Sequence, residues 1–567
     1  MASEAAFAYH EPSIKTVLNY TGFLLVLNIA NTCLDKLLYC GLIGQLFIGV
    51  LWGTPGAKWL DRETETVIQQ IGYLGLILLI YEGGLSTSIK ALKANVLLSA
   101  AVALTGICVP MGLSFILMEL ALATPLQAFS AGAALSATSL GTTFTILSTT
   151  QLTTTRLGTV TTRAAMLDDV VGLVMVQIIS NLGGNSSFSV VTVIRPVFVS
   201  LGFAIGLLLL CAFCLEPVLK IAIQHRASLP DFAGSAQFAF LAQTCVLVGI
   251  VAGATYAGTS SLFAAYLAGV IVSWFDGLVA ESKQHTASEP SAAQGHSTSP
   301  QENVAPRTSS HDANELDGSD SRPTQQTERP QHITGEIIYE RYYKEPTNRI
   351  LLPLFFASIG FAIPITKMFS GQVVWRGMIY AVLMAIGKMI TGLWLVRFAS
   401  NPIAGLVSII RKPFAYVHSC AKRQSHKAPK KKNNSENTQV SNATAEHSVS
   451  QSSSHSDESP SPSPTPAPPS QLSMPPKPKS LYPPSILGLA MVARGEVGYL
   501  IASIAESQGV FSNGSSEGPS EIYLVVIWAI TLCTLVGPIL VGTLVKRVKK
   551  LQMSRERGSD PLGVWGI

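Results

Sequence analysis

The chain has 567 residues, 48% of them hydrophobic and only 13% charged, about half the roughly 25% charged of a soluble domain. Its apolar residues come in blocks of ~18–25, long enough to cross ~30 Å of hydrocarbon, which excludes a soluble fold and, without short alternating segments, a membrane barrel. The net charge of +5 gathers in one polar loop and the tail, which reads as a topology bias and excludes nucleic acid as a partner.

Residues 1–14 carry Glu4 and Glu11 and no basic run. They read as an extracytoplasmic N-terminus, not as a cleavable signal or transit peptide. About thirteen spans follow by window length. Nine lie in a first membrane stretch, 15–277, at 15–34, 38–53, 68–86, 92–120, 126–150, 160–182, 190–215, 236–256 and 259–277. A polar insert, 278–348, is rich in Ser, Gln, His, Pro and Glu. It lacks the apolar surface to fold and is expected to be disordered, except where Glu336 to Lys344 suits an interfacial helix. Two spans, 349–369 and 374–398, occupy 349–398. A second insert, 399–483, is basic, then Ser- and Pro-rich, and is expected to be disordered too. The last two spans, 484–508 and 520–546, fill 484–546, and 547–567 is the tail.

By parity both inserts and the tail fall on one side. They carry Lys422, Arg423, Lys427, Lys430, Lys431, Lys432, Lys546, Arg547, Lys549 and Lys550. Basic residues near span ends mark the cytoplasm. The expected topology is therefore multi-pass, in the plasma membrane or an endomembrane such as the vacuole, with the N-terminus outside. Of five glycosylation sequons only Asn185 and Asn513 fall in outer loops. The eight cysteines sit mostly in apolar blocks and read as packing residues; Cys211 and Cys214 have redox spacing but no βαβ context.

Chemistry concentrates at charges submerged in apolar blocks. Asp168 and Asp169 lie side by side inside the 160–182 span. Ionised groups there need a wet cavity or a counter-charge. Lys388, in the middle of 374–398, is too far from either end to snorkel and needs a carboxylate partner. Adjacent helical residues point ~100° apart, so one aspartate can pair with Lys388 while its neighbour faces water. Gly132 to Thr143 is dense in small and hydroxyl residues. It suits either tight helix packing or a helix broken at mid-membrane, with carbonyls and hydroxyls free for a cation. Arg494 and Glu496 flank Gly495 in an apolar span; they read as a structural ion pair or as a second broken helix. Glu82 is structural or part of a cavity mouth.

These residues carry a resemblance. Leu76 to Leu85, Ala137-Thr138-Ser139, Leu167-Asp168-Asp169, Leu354 to Gly360, Gly387-Lys388 and Arg494-Gly495-Glu496 resemble the monovalent cation/proton antiporter superfamily. Within it they are most similar to the second branch, the bacterial-type sodium/proton exchangers and their fungal relatives. Each motif is weak alone; six in order, each in its expected span, are specific. The likeness covers 15–277, 349–398 and 484–546, not the inserts. It implies an all-α fold of inverted five-helix repeats, with broken helices crossing at 126–150 and 484–508. It also implies a core domain beside a dimerisation domain, and so a homodimer. Carried over, Asp169 is the cation- and proton-binding carboxylate, and Asp168 is the neighbour that pairs with Lys388. Both aspartates are implied ligands of the transported Na⁺. Thr138 and Ser139 line the crossover, and Arg494 and Glu496 form a supporting charged pair. In the family, adjacent aspartates accompany electrogenic exchange. Potassium-efflux relatives carry a C-terminal nucleotide-binding domain, which is not expected in the 547–567 tail.

The expected activity is secondary antiport of Na⁺, K⁺ or Li⁺ against H⁺ by competition at the aspartate pair, with alternating access, no enzymatic step and no cofactor. The rivals are a fold-related sodium-coupled symporter, a transport-inactive membrane sensor, an uncoupled channel and an intramembrane aspartyl protease. The protease needs its two aspartates on separate helices, which an adjacent pair does not provide.

Overall fold

A computed structural model of the chain describes residues 11–38, 40–87, 96–139, 141–143, 147, 151–183, 190–224, 235–287, 334–396, 481–512, 519–554, 562 and 565–566. Most of both polar inserts lies outside the described residues, as do Asn185 and Asn513. Among the described residues there is no strand. The helices are α1 (Ile14–Leu38), α2 (Gly41–Trp52), α3 (Arg62–Leu85), α4 (Val96–Ser114), α5 (Pro125–Ser136), α6 (Arg156–Leu182), α7 (Val190–Leu210) and α8 (Ala236–Ala257). They continue with α9 (Ser261–Ala287), α10 (Gly335–Tyr342), α11 (Leu352–Phe361), α12 (Gly371–Met389), α13 (Tyr482–Ala490), α14 (Glu496–Ser507) and α15 (Glu521–Ser554).

Nine helices among the described residues are long and apolar enough to cross a membrane: α1, α3, α4, α6, α7, α8, α9, α12 and α15. The other four expected spans are shorter or interrupted. The 38–53 span is α2. The 126–150 span breaks after α5, and 484–508 divides into α13 and α14. The 349–369 span is α11, entered through a π-turn at Thr347–Leu351. Several helices outrun their apolar windows. α9 continues to Ala287 and α15 to Ser554, because hydropathy marks only the stretch in hydrocarbon while polar residues extend a helix into water.

The proximity of the helices divides the spans other than α7 into two bundles. α1, α2, α3, α8, α9 and α11 pack on one another, with α10 lying across α3, α8 and α9. The second bundle is α4, α5, α6, α12, α13, α14 and α15. α7 lies along α6 and touches α8, and otherwise only narrow seams join the two, chiefly α9 on α6 and α11 on α14. The groups expected to carry the chemistry all sit in the second bundle.

Candidate ion-binding site

α6 starts at Thr155, whose hydroxyl accepts the Gly158 N–H at 3.1 Å and so satisfies one orphan donor of the first turn. Some three turns on, Asp168 and Asp169 leave the helix ~100° apart and enter different surroundings.

Asp168 points at α12. Its side chain and that of Lys388 are both 0% exposed, and Lys388 Nζ lies 2.7 Å from Asp168 Oδ2. Nζ also donates to Thr138 Oγ1 at 2.8 Å, and the Thr138 hydroxyl donates to Asp168 Oδ2. The three groups close a ring in which the hydroxyl accepts from the ammonium and gives to the carboxylate. A charge-assisted ring of this kind offsets part of the cost of burying both ions.

Thr138 reaches that ring because α5 has ended. The helix opens on a capping box between Thr124 and Gln127, with Pro125 in its first turn, and stops at Ser136; Ala137 is already extended. The Ser-, Thr- and Gly-rich run that follows is poor in helix formers, since short hydroxyl side chains compete for the backbone. α13 likewise ends at Ala490, and α14 begins only at Glu496. The two gaps cross. Ser139 N–H donates to the Ala493 carbonyl at 3.0 Å, and Thr143 Oγ1 donates to the Ala490 carbonyl at 3.2 Å. Gly495 is packed so tightly here that a Cβ would lie 2.5 Å from Ser139 Oγ. Of the two readings of Gly132 to Thr143 the broken helix holds, although its first half is packed as tightly as the alternative required.

The expected pair of Arg494 and Glu496 does not form; no ion pair joins them. Arg494 is wholly buried and donates through Nη1 to the carbonyls of Ser136 and Ala137, at 3.2 and 2.9 Å. Glu496 opens α14 and accepts from Ser139 Oγ at 3.3 Å. Each charge is matched to a helix end of opposite sign instead. The cation sits on the carbonyl end of α5 and the anion at the amide end of α14.

Asp169, 6% exposed, turns away from this ring. Its Oδ1 is buried and has no hydrogen-bond partner. It borders a cavity of about 490 Å³ at the seam between the bundles, with Thr162, Met166 and Glu496 on its own side and Glu82 and Tyr266 opposite. The outer wall is α10 and the residues after it, through Glu336, Tyr339, Glu340 and Lys344. Lys344 bonds Glu340 at 2.6 Å. Burial, with the Glu82 carboxylate nearby, pushes the Tyr339 phenol up. Five carboxylates (Glu82, Asp169, Glu336, Glu340 and Glu496) and one ammonium line the space, a balance that raises the local concentration of cations.

Thr162, Met166 and Tyr266 are lining residues that carry no submerged charge to mark them in the sequence. The first two precede Asp169 by seven and three positions and so share its helical face, a signal that was there to read. Tyr266 has none, because only the packing of α9 on α3 brings it to the cavity.

The family described as "Sodium/hydrogen exchanger, transmembrane" matches residues 23–289. The high-affinity Na(+)/H(+) antiporter NhaS3 of Synechocystis is 30% identical over 171 residues, which is 30% of this chain and 37% of that protein. The Na(+)/H(+) antiporter of Enterococcus hirae is 30% identical over 146 residues, covering 26% and 38%. Cation/H(+) antiporter 17 of Arabidopsis thaliana is 29% identical over 246 residues, covering 41% and 28%. Over these residues the chain is similar to members of the monovalent cation/proton antiporter superfamily. Its matches span 28% to 38% of the length of these three relatives. The solved sodium proton antiporter MjNhaP1 from Methanocaldococcus jannaschii at pH 8 superposes with a TM-score of 0.50 at 13% identity, over 94% of this chain and 99% of that chain. An all-α, multi-pass, antiporter-like fold is thereby shared.

Proposed function

We propose that the chain is a secondary antiporter, a transporter rather than an enzyme, that exchanges a monovalent cation, Na⁺ in the first instance, for H⁺ at Asp169. One observation carries the reading. Of two adjacent buried carboxylates, each with a buried Oδ1 that has no hydrogen-bond partner, Asp168 is ion-paired through Oδ2 to Lys388 and bonded there by Thr138, while Asp169 has no such counter-charge and borders an acidic cavity. A partly dehydrated cation or a proton satisfies Asp169, but not both at once. That exclusion couples two fluxes without ATP.

Asp168 and Lys388 hold the site's charge balance, and Asp168 joins as a second Na⁺ ligand when Lys388 moves off it. Thr138 and Ser139 offer hydroxyl oxygen, a hard donor suited to Na⁺, Li⁺ or K⁺. The narrow seams between the bundles support alternating access: the α5–α6–α14 bundle moves against the α3–α9 wall and carries Asp169 from one side to the other. The cavity opens toward α10, which follows the first polar insert, on the side read as cytosolic, and the protein works as a homodimer. The deciding experiment is Na⁺-driven proton movement in proteoliposomes. Asp169→Asn is expected to abolish it. Movement retained by that variant would end the assignment, and uptake of Na⁺ with a second solute would favour a symporter.

A further inference from the structure

α10 is a short helix in an unusual seat. Its first amide, Gly335 N–H, donates to Asp276 Oδ2 on α9 at 2.6 Å. A Cβ at Gly335 would stand 2.5 Å from Val272 Cγ1, so the helix start lies flat against α9. At the other end the Tyr343 hydroxyl lies 2.5 Å from Thr244 Oγ1 on α8. The rings of Tyr342 and Tyr343 rest on Phe240 at 4.8 and 5.1 Å. Both ends are therefore latched. The middle is not. The Tyr81 hydroxyl and the side-chain oxygen of Gln243 are buried without a hydrogen-bond partner, and the buried Tyr339 hydroxyl has only the loosely placed Thr347 hydroxyl and Glu82 carboxylate near it. These poorly satisfied polar groups gather beneath or just after this one helix.

Buried polar groups without partners are costly and gain partners when water reaches them. A helix held by polar contacts at its two ends, over a poorly satisfied polar centre, gains little from staying once those contacts open. The chain beyond the helix carries a π-turn, Thr347–Leu351, a feature frequent at functional sites and mid-helix irregularities. Glu336, Tyr339, Glu340 and Lys344 form the outer wall of the Asp169 cavity, while α10 packs on α3, α8 and α9 rather than on the bundle that holds Asp169. None of these contacts involves the Asp168–Lys388 ring, so release of the helix would leave that ring in place.

We propose that α10 is a detachable cover over the Asp169 cavity, latched by the Asp276–Gly335 and Thr244–Tyr343 contacts, and that its release exposes the cavity to solvent. The proposal rests on the reading of that cavity as the ion route only for its biological meaning; its test needs no ion flux.

The test is the rate at which a bulky, charged maleimide modifies Met166→Cys, which borders the cavity, in purified protein whose native cysteines are replaced. Three changes loosen the cover in different ways. Asp276→Asn weakens the first latch, Tyr343→Phe removes the second with loss of one oxygen, and Gly335→Ala wedges the helix off Val272. Each is expected to raise the modification rate several-fold while the protein stays monodisperse, with Tyr343→Phe the change that least threatens folding. Equal rates in the parent and in Tyr343→Phe would overturn the proposal and make α10 a fixed wall.

Discussion

Lys388 Nζ and Asp168 Oδ2 stand 2.7 Å apart with neither side chain exposed, and the Thr138 hydroxyl completes the contact on both sides. Two opposite charges this deep are individually costly and jointly tolerable. Removing one partner leaves the other uncompensated, a loss of roughly 3–5 kcal/mol for a buried pair. Lys388→Ala is therefore expected to lower thermal stability in detergent sharply. Adding Asp168→Asn is expected to restore much of the loss. A Lys388→Ala protein as stable as the parent would mean that the pair does not form.

Asp169 leads to a pH dependence. If proton and cation compete for one carboxylate, acid raises the apparent cation KM and leaves the maximal rate nearly untouched. The sign follows from mass action. Over the range where Asp169 is mostly protonated, each pH unit downward adds tenfold more competitor, and KM rises about tenfold per unit for one proton displaced. Initial rates across a grid of pH and Na⁺ concentration read this out. A falling maximal rate at constant KM would place proton and cation at separate sites.

The sequence shows the submerged charges because hydrocarbon makes each of them conspicuous. Asp168, Asp169, Lys388, Arg494 and Glu496 stand out in blocks that are otherwise apolar, and the hydroxyl-rich run at Thr138 and Ser139 shows where a helix is weak. Who touches whom is much harder to read. Arg494 and Glu496 look like partners because they are close in sequence, yet the chain between them crosses the end of α5 and each turns to a different helix terminus. Tyr266 and Tyr339 reach the cavity only through the packing of α9 and α10 on α3, which leaves no local trace. The irregular spans α2 and α11 are visible as apolar blocks, but their lengths are set by packing and not by hydropathy.

The crossing of the broken helices makes a steric prediction. An added methyl at Gly495 would lie 2.5 Å from Ser139 Oγ and 2.6 Å from its Cβ. Ser139 cannot retreat without losing its backbone bond to Ala493. Gly495→Ala is expected to cost ~1–3 kcal/mol, as overpacking of a tight contact does. Reducing Ser139 to Gly in the same chain is expected to recover part of the loss. A neutral Gly495→Ala by thermal unfolding would show a looser crossing.

Arg494 separates two views of the same motif. Its Nη1 serves the carbonyls of Ser136 and Ala137, which nothing else in the broken stretch satisfies as well. Arg494→Gln gives up a charge-assisted bond to a buried helix end, a loss of about 1.5–3 kcal/mol. Glu496→Gln keeps a side chain able to accept from Ser139 and is expected to destabilise far less, while removing one carboxylate from the cavity wall. If the two charges paired, a double-mutant cycle would give a coupling above about 1 kcal/mol. With each bound to a different helix end, their effects are expected to add to within about 0.5 kcal/mol. The same cycle read in transport separates the roles further. Glu496→Gln is expected to weaken apparent cation affinity at a protein of near-normal stability, because it thins the negative field around Asp169. Arg494→Gln is expected to lower stability first and transport only as a consequence.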